Sequence, residues 1–573
     1  MTSFNQLKKN LKKDFSSFKT TKVALLGDTS TQFLNVALRG FAFEKSLHLD
    51  VWEADFDQID LQISDPTSEL YEFEPEVVII YQSSHKLLQR YNKSKEEKRA
   101  NLANIELEKL QHYLSNLASH TQAKVVVYNY AEIDDTVFGN FANKLEWSYL
   151  YQLRKLNYLL MDYASTNPNL FIADLSSVQN LLGKSNMFQP SVYINTEMVL
   201  SLESLPYVAA RTLDILLAFT GRMNKCLILD LDNTTWGGII GDDGIENIQI
   251  GSLGIGKAFT ELQYWAKKLK ERGIILAICS KNTESVAKEP FEKHPDMVIR
   301  LDDISVFVAN WENKADNIRQ IQAILNIGFD SMVFLDDNPF ERNLVRQNLP
   351  QVCVPELPED PSEYLEYIYS LNLFETLSFS NEDKERTKLY QVEAQRASVQ
   401  MKFTNEDDFL SSLEMVSAVE PFNKFNRPRV SQLSQRSNQF NLRTVRYTEE
   451  DIERMSNQEG HYTFSFGLED KFGDNGLICV IILEKKSDQE VFIDTWFMSC
   501  RVLKRGMENF VLNTIMTFAK ENGFDTVVGE YIPTAKNQMV AGHYESLGFT
   551  AHESVWHLDA TNYEPRKTFI QIK

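Results

Sequence analysis

Asp230 and Asp232 stand two residues apart at the end of an apolar run, in KCLILDLDNTTWGGIIGDDGIENIQIG, residues 225–251. Two carboxylates this close repel each other unless a cation sits between them. A carboxylate aimed off a strand end can also attack phosphorus and form an aspartyl-phosphate. Three further segments end in polar residues of matching use: Ser280 in LAICSKN, Lys314 in NWENKADNI, and Asp336 with Asp337 in VFLDDNPFE. Magnesium takes hard oxygen ligands, and Asp230, Asp336, Asp337 and the backbone carbonyl of Asp232 offer them. Asp230 is the expected nucleophile. Asp232, two residues on, projects the same way and suits a general acid for the leaving oxygen, then a base for its acceptor. Thr234, Ser280 and Lys314 would hold the transferring oxygens, where charge must be neutralised. Taken singly, each residue has an ordinary reading. A strand-end Asp forms turns or caps helices, Ser caps, and Lys is solvated. Their order along one sheet edge favours a shared site.

These residues need a parallel sheet behind them, because ligands sit outside the carboxyl ends of such strands. The block 222–377 provides one, with strands expected over 226–229, 274–279, 297–300 and 332–335, and 352–354 as a fifth. Their near-continuous apolar character indicates burial on both faces. The Pro-rich stretch PQVCVPELPEDP closes the block. Before it, 1–221 alternates strands (22–26, 48–52, 77–81, 124–128, 170–173) with helices such as 102–117 and 149–163, again an α/β pattern. Phe4, Leu7, Leu11, Phe15 and Phe18 recur at helical spacing at its start. After it, 378–573 opens on a helix that Ser380 can cap, with Asp383 at the reciprocal position. It then reads as α+β, with a strand over 491–498 and a helix over 508–521.

The 573 residues carry a net charge of -21, which disfavours nucleic acid and anionic membrane as partners. No apolar run approaches the roughly 18 residues of a membrane span, and the basic N-terminus lacks the apolar core of a secretory signal. Cys226, Cys279, Cys353, Cys479 and Cys500 show no paired spacing, which fits a reducing cytoplasm and excludes a zinc or disulfide framework.

The motifs DLDNT, CS, Lys314 and LDDN resemble those of haloacid dehalogenase-like (HAD-like) phosphatases. The longer segments WGGIIGDDGIENIQIG, CSKN, EPFEKHPDMV and VFLDDNPFER resemble the FkbH-like family more narrowly. That resemblance implies an enzyme that loads a glyceryl unit from 1,3-bisphosphoglycerate onto an acyl carrier protein and removes its phosphate. Thr235 stands where the family pattern usually has Leu. The implied fold class is α/β: a HAD-like Rossmannoid parallel sheet in the centre, flanked by an SGNH/flavodoxin-like α/β domain and a GNAT-like α+β domain. In the first block, GDTS, residues 27–30, resembles the nucleophile block of SGNH-type esterases. Ser177 replaces the His of that family in ADLSS, so the Ser has no base and a degenerate, structural or docking domain is expected. In the third, SCRVLKRGMENF and GEYIPTAKNQMVAGHYESLGF resemble acetyltransferases of the GNAT type. That likeness suggests coenzyme A or pantetheine binding by Arg501, Arg505, Gly506, Asn537 and Tyr544. Lys504 replaces a loop glycine there, which opposes close backbone approach to a pyrophosphate.

Asp230 to Ser280 spans 50 positions and Ser280 to Lys314 spans 34, which leaves no room for a separate cap domain. An open site suits a carrier protein's pantetheine arm. Acyl transfer through the enzyme would need a thiol. Cys279 adjoins Ser280, although alternation along the strand points it to the opposite face, and both Cys279 and Cys226 equally fit small core residues. The expected function is thus magnesium-dependent transfer from a phosphorylated acyl donor to a carrier-protein thiol. The alternatives are a plain phosphatase of a small phosphorylated metabolite and a partner-binding scaffold with a vestigial centre.

Overall fold

The computed structural model describes residues 2–573 except 380–382, 384–385, 401–402, 500–501 and 535, and the side chains of 386, 394, 397 and 398. The chain divides into two compact units, Met1–Leu217 and Ala218–Lys573. The blocks read from sequence as 222–377 and 378–573 both lie in the second unit.

In the first unit, strands β1 (Lys19–Gly27), β2 (Leu47–Glu53), β3 (Val77–Tyr81), β4 (Lys124–Tyr128) and β5 (Leu170–Ala173) form a parallel sheet in the order β2-β1-β3-β4-β5. One face packs Ala24, Leu26, Val78, Ile80 and Val127 against Leu110, Tyr113, Leu114 and Leu117 of the helix Leu102–His120. The N-terminal helix is shorter than its apolar spacing suggests, ending at Asn10. Phe15 and Phe18 lie beyond it and meet the Phe43 ring at 5.1 and 5.4 Å. Their burial comes from an aromatic cluster, not a helix face.

Asp28 follows β1 and is buried, with Oδ1 accepting from the Ser83 N–H at 2.9 Å and the Arg90 guanidinium 3.7 Å away. Burial raises its carboxyl to about 6, against the hydrogen bond from Ser83 and the pull of Arg90. Between pH 4 and 6 the folded state therefore holds a proton that the unfolded state has lost. Stability falls as pH rises through that window, by on the order of 2–3 kcal/mol. Asp28→Asn removes the titration. Its melting temperature relative to the parent should rise between pH 4 and pH 7; a difference independent of pH would contradict this.

The second unit holds two sheets. The first is parallel, in the order β8-β7-β6-β9, from β6 (Cys226–Leu229), β7 (Ile275–Ser280), β8 (Val306–Ala309) and β9 (Met332–Leu335). Leu227, Leu229, Leu276, Ile278, Val333 and Leu335 face one layer. Cys226, Ile228, Ala277, Cys279 and Phe334 face the other, where Ile318 and Ile321 of the helix Lys314–Leu325 cover them. The expected strand 297–300 is not one. The Gln263 side chain accepts from the backbone N–H groups of Val298 and Ile299 at 2.9 and 3.2 Å, which removes the donors a strand would use. Its place at the sheet edge is taken by β8. Residues 352–354 make only a bridge from Cys353 to Val333, since Pro350 and Pro355 close the run on both sides.

Among the described residues the second sheet has nine strands. Its centre is β10 (His461–Asp470), β11 (Gly473–Lys485), β12 (Glu490–Met498) and β13 (Thr526–Glu530). β12 and β13 run parallel and pair from Glu490↔Thr526 to Ile493↔Gly529. Beyond that point residues 440–442 enter the gap: Leu442 N donates to Trp496 O at 3.2 Å, Met498 N to Phe440 O at 3.0 Å, and Ile532 N to Leu442 O at 2.9 Å. The helix Met507–Glu521 packs on this sheet. Ser380, the expected helix cap, lies outside the described residues. The Asp383 carboxylate accepts from Gln432 Nε2 at 2.6 Å and pairs with Arg436. No helix among the described residues is long and apolar enough to cross a membrane.

Candidate active site

β6 pairs with β7 on one side and β9 on the other, so the strand order reverses between β6 and β9. A crevice opens at the carboxyl ends of strands at such a point. Asp230 leaves β6 there and Asp336 leaves β9, and the two ends are tied by Asp230 N donating to Leu335 O at 3.0 Å. One carboxylate oxygen from each of Asp230, Asp336 and Asp337 lies within 4.8 Å of the others. Lys314 projects among them from the first turn of its helix, with Nζ 2.9 Å from Asp230 Oδ2 and 2.5 Å from Asp336 Oδ2. Asn313 caps that helix by accepting from Asp316 N at 2.9 Å, which fixes where Lys314 starts.

Asp230, Lys314 and Asp336 are buried and Asp337 is half-buried, so water screens their charges little. Burial, then repulsion from Asp230, raises Asp336 to about 7. The same two causes raise Asp337 and contribute to a rise in Asp232. Burial alone would lower Lys314, but Asp230 and Asp336 outweigh it and hold its ammonium above the ordinary value. Three carboxylates around one ammonium leave negative charge unbalanced. Their oxygens are the hard donors a divalent cation takes, so the donor set fits magnesium.

The turn after β6 is braced residue by residue. Thr235 Oγ1 donates to Asp230 O at 2.6 Å, and Gln263 Nε2 donates to Thr235 O at 2.8 Å. The hydroxyl that replaces the usual Leu thus holds the backbone of the predicted nucleophile. Thr234 Oγ1 receives the Asp337 N–H at 3.0 Å and donates to Asp337 Oδ1 at 3.2 Å, linking the β6 and β9 turns. Arg342 donates through Nη1 to the carbonyls of Asp336 and Asp337 at 2.9 and 2.6 Å. Asp232 turns its carboxylate toward the flap. Oδ1 accepts from Trp236 Nε1 and Ile240 N, both at 3.0 Å, and Oδ2 from Asn282 Nδ2 at 2.8 Å. Its side chain is therefore placed apart from the three converging carboxylates, and only its carbonyl is left for a metal. Trp236, Asn282 and Arg342 were not singled out from sequence, and Thr235 stood out only as a departure from the family pattern. Asn282 had a readable signal, two residues after Ser280, in a segment already leading to the site.

Ser280 ends β7, buried beside the crevice. Cys279 does not join it. The thiol lies wholly in the core on the opposite face, with Sγ 3.8 Å from Lys314 O. Burial pushes it well up, as it does Cys226. A thiolate nucleophile is disfavoured at either position, and Cys279 is withdrawn from the catalytic set.

The residues matched to the acetyltransferase pattern lie on the nine-stranded sheet. Arg501 falls outside the described residues. Arg505 is buried and its guanidinium binds Asp470 at 3.2 Å and Glu393. Asn537 donates through Nδ2 to Asn441 O and Ile532 O at 2.9 and 3.0 Å, which anchors the inserted 440–442 segment. Tyr544 is buried against Trp496 and Phe549, over Gly529, where any Cβ would sit 2.3 Å from its ring. Gly506 precedes the helix Met507–Glu521 with φ +75°, and Lys504 adopts φ +64°. Arg505, Asn537 and Tyr544 thus serve packing.

The family model described as FkbH, N-terminal domain, matches residues 22–217. Among solved structures, the chain is 55% identical to the N-terminal part of the protein BF1531 from Bacteroides fragilis, described as containing a phosphatase domain complexed with Mg. That likeness has a TM-score of 0.64 and covers 66% of this chain and all, 100%, of that one. Two others are the ribosomal-protein-S18-alanine N-acetyltransferase from Escherichia coli, 15% identical over 26% of this chain and 97% of that one at a TM-score of 0.21, and Ard1 from Thermoplasma volcanium, 15% identical over 25% and 95% at 0.20. Neither bears on the site. No curated protein matches the chain. The parallel sheet, its carboxylate crevice and the BF1531 likeness define a HAD-like phosphatase domain, and the chain is an enzyme of that class. It belongs to the FkbH-like family.

Proposed function

We propose that the chain is a magnesium-dependent phosphatase and acyl transferase. It would take a glyceryl or related unit from an acyl phosphate such as 1,3-bisphosphoglycerate, load it onto a carrier-protein thiol and remove its phosphate ester. The observation that carries the phosphoryl half is the buried cluster of Asp230, Asp336 and Asp337 around Lys314. The acyl half rests on family membership.

Asp230 attacks the phosphorus of the ester, a P–O bond forms, and the bond to the leaving oxygen breaks. Asp232 gives that oxygen its proton, and its raised carboxyl suits the acid role. Lys314 and Ser280 bind the equatorial oxygens and neutralise their charge. Asp232 then takes a proton from water, whose oxygen attacks the aspartyl-phosphate, and phosphate leaves with Asp230 restored. Magnesium, held by Asp230, Asp336 and the carbonyl of Asp232, would offset the charge that builds on the phosphoryl group. In acyl transfer, the carrier's thiol sulfur bonds to the acyl carbon as the acyl–phosphate C–O bond breaks. Cys226 and Cys279 are held in the core, so neither is placed to carry the acyl group.

Incubation with a holo carrier protein and 1,3-bisphosphoglycerate should add one glyceryl mass to the carrier, read by mass spectrometry. Phosphate release with an unchanged carrier would leave a plain phosphatase and remove the acyl half.

A further inference from the structure

The unit Ala218–Lys573 encloses a cavity of about 350 Å³ that the phosphatase chemistry does not use. It lies behind the catalytic sheet. Lys225, Ile275 and Ser331 line it, and they stand at the amino ends of β6, β7 and β9. Asp230 is at the other end of β6, roughly 13 Å away for a strand of this length. One small molecule cannot span both. The opposite wall comes from the nine-stranded sheet, through Phe440 and Met498 beside the inserted 440–442 segment.

The lining is sorted by character. Lys225, Arg429, Arg436 and Lys536 bring four cations, and Asp330 is the one acidic residue among the described lining residues. Each of the four also has partners within the chain: Lys536 meets Asp330 at 2.5 Å, Arg436 pairs with Asp383, Arg429 donates to Gln432, and Lys225 donates to Arg436 O at 2.8 Å. Arg222 and Arg446 add positive field, and Lys536 feels both. Among the described residues, buried Arg446 donates to oxygens of Ser434, Ser437 and Asn438. Ile327, Leu433, Phe440 and Met498 form an apolar side. Among the described lining residues cations thus outnumber acids four to one, inside a chain of net charge -21. A concave site of this size, apolar on one side with convergent guanidinium and ammonium groups on the other, recognises a phosphate head on an apolar body.

We infer that this cavity is a second ligand site, for a small organic phosphate, separate from the catalytic crevice. Its guanidinium groups take the phosphate and the Phe440–Met498 wall takes the body.

Phenylphosphonate is a suitable probe, since its C–P bond resists phosphatases. Calorimetric titration of the full chain in EDTA should show one saturable site. Binding should weaken about tenfold or more in Arg429→Ala/Lys536→Ala, the scale of charge-assisted hydrogen bonds. It should be unchanged in Asp230→Asn, which separates this site from the proposed catalytic reading. Gln351→Glu, at an exposed lining position where folding is not at stake, adds a carboxylate and should also weaken it. Inorganic phosphate should bind more weakly than the probe, because it leaves the apolar wall uncovered. Absence of saturable binding to the parent protein, loss of binding in Asp230→Asn, or equal affinity in the double variant and Gln351→Glu, would overturn the site.

Discussion

Asp230→Asn should lower phosphate release by about 10⁴-fold or more while leaving the fold intact, since a nucleophile acts as a unit with its partners. The amide keeps the shape of the carboxylate, and the backbone tie to Leu335 and the Thr235 brace on Asp230 O do not involve the side chain. What is lost is the attacking oxygen's charge. The variant should also be more stable than the parent in EDTA, because the repulsion that helps raise Asp336 to about 7 is removed. Steady-state phosphate release and thermal melting check both parts. A variant that retains most of the parent's rate would remove Asp230 from the mechanism.

Lys314→Met should be the most damaging substitution for stability. Its ammonium bridges Asp230 and Asp336 at 2.9 and 2.5 Å. Removing one partner of a buried ionic cluster leaves uncompensated charge and costs about 3–5 kcal/mol. That cost should be largest in EDTA. Magnesium should recover much of it, and should raise the melting temperature of the variant more than that of the parent, because a cation substitutes for the missing ammonium. Activity should stay about 10²–10³-fold down even with metal, since a charge on the transferring oxygens is lost. Equal destabilisation with and without magnesium would show that the carboxylates do not form one electrostatic unit.

The residues of the candidate site were legible because their chemistry is local. Asp230, Ser280 and Asp336 each sit where an apolar strand stops, and period and composition mark such ends. Three of the four strands behind the site, β6, β7 and β9, were also readable for that reason, and β8 was not. The strand expected at 297–300 failed because the residue that satisfies its backbone, Gln263, lies on a distant helix. The bracing of the site was hidden for the same reason. Arg342 acts through contacts that only the folded turn creates. Cys279 shows the opposite case: alternation along β7 already pointed it away from Ser280, and the core face it occupies follows that alternation. The likeness to acetyltransferases suggested ligand-binding roles for Arg505 and Asn537, yet both are consumed by internal hydrogen bonds. Pattern alone does not separate a ligand's donor from a structural one.

The central claim is that Asp230 is phosphorylated during turnover. Acid quenching of the protein during turnover of a phosphorylated acyl donor, followed by mass spectrometry of its peptides, tests it most directly. The account predicts one added phosphate on the peptide that contains Asp230, and none in Asp230→Asn. A phosphate on another residue, or rapid turnover with no phosphorylated peptide, would contradict it.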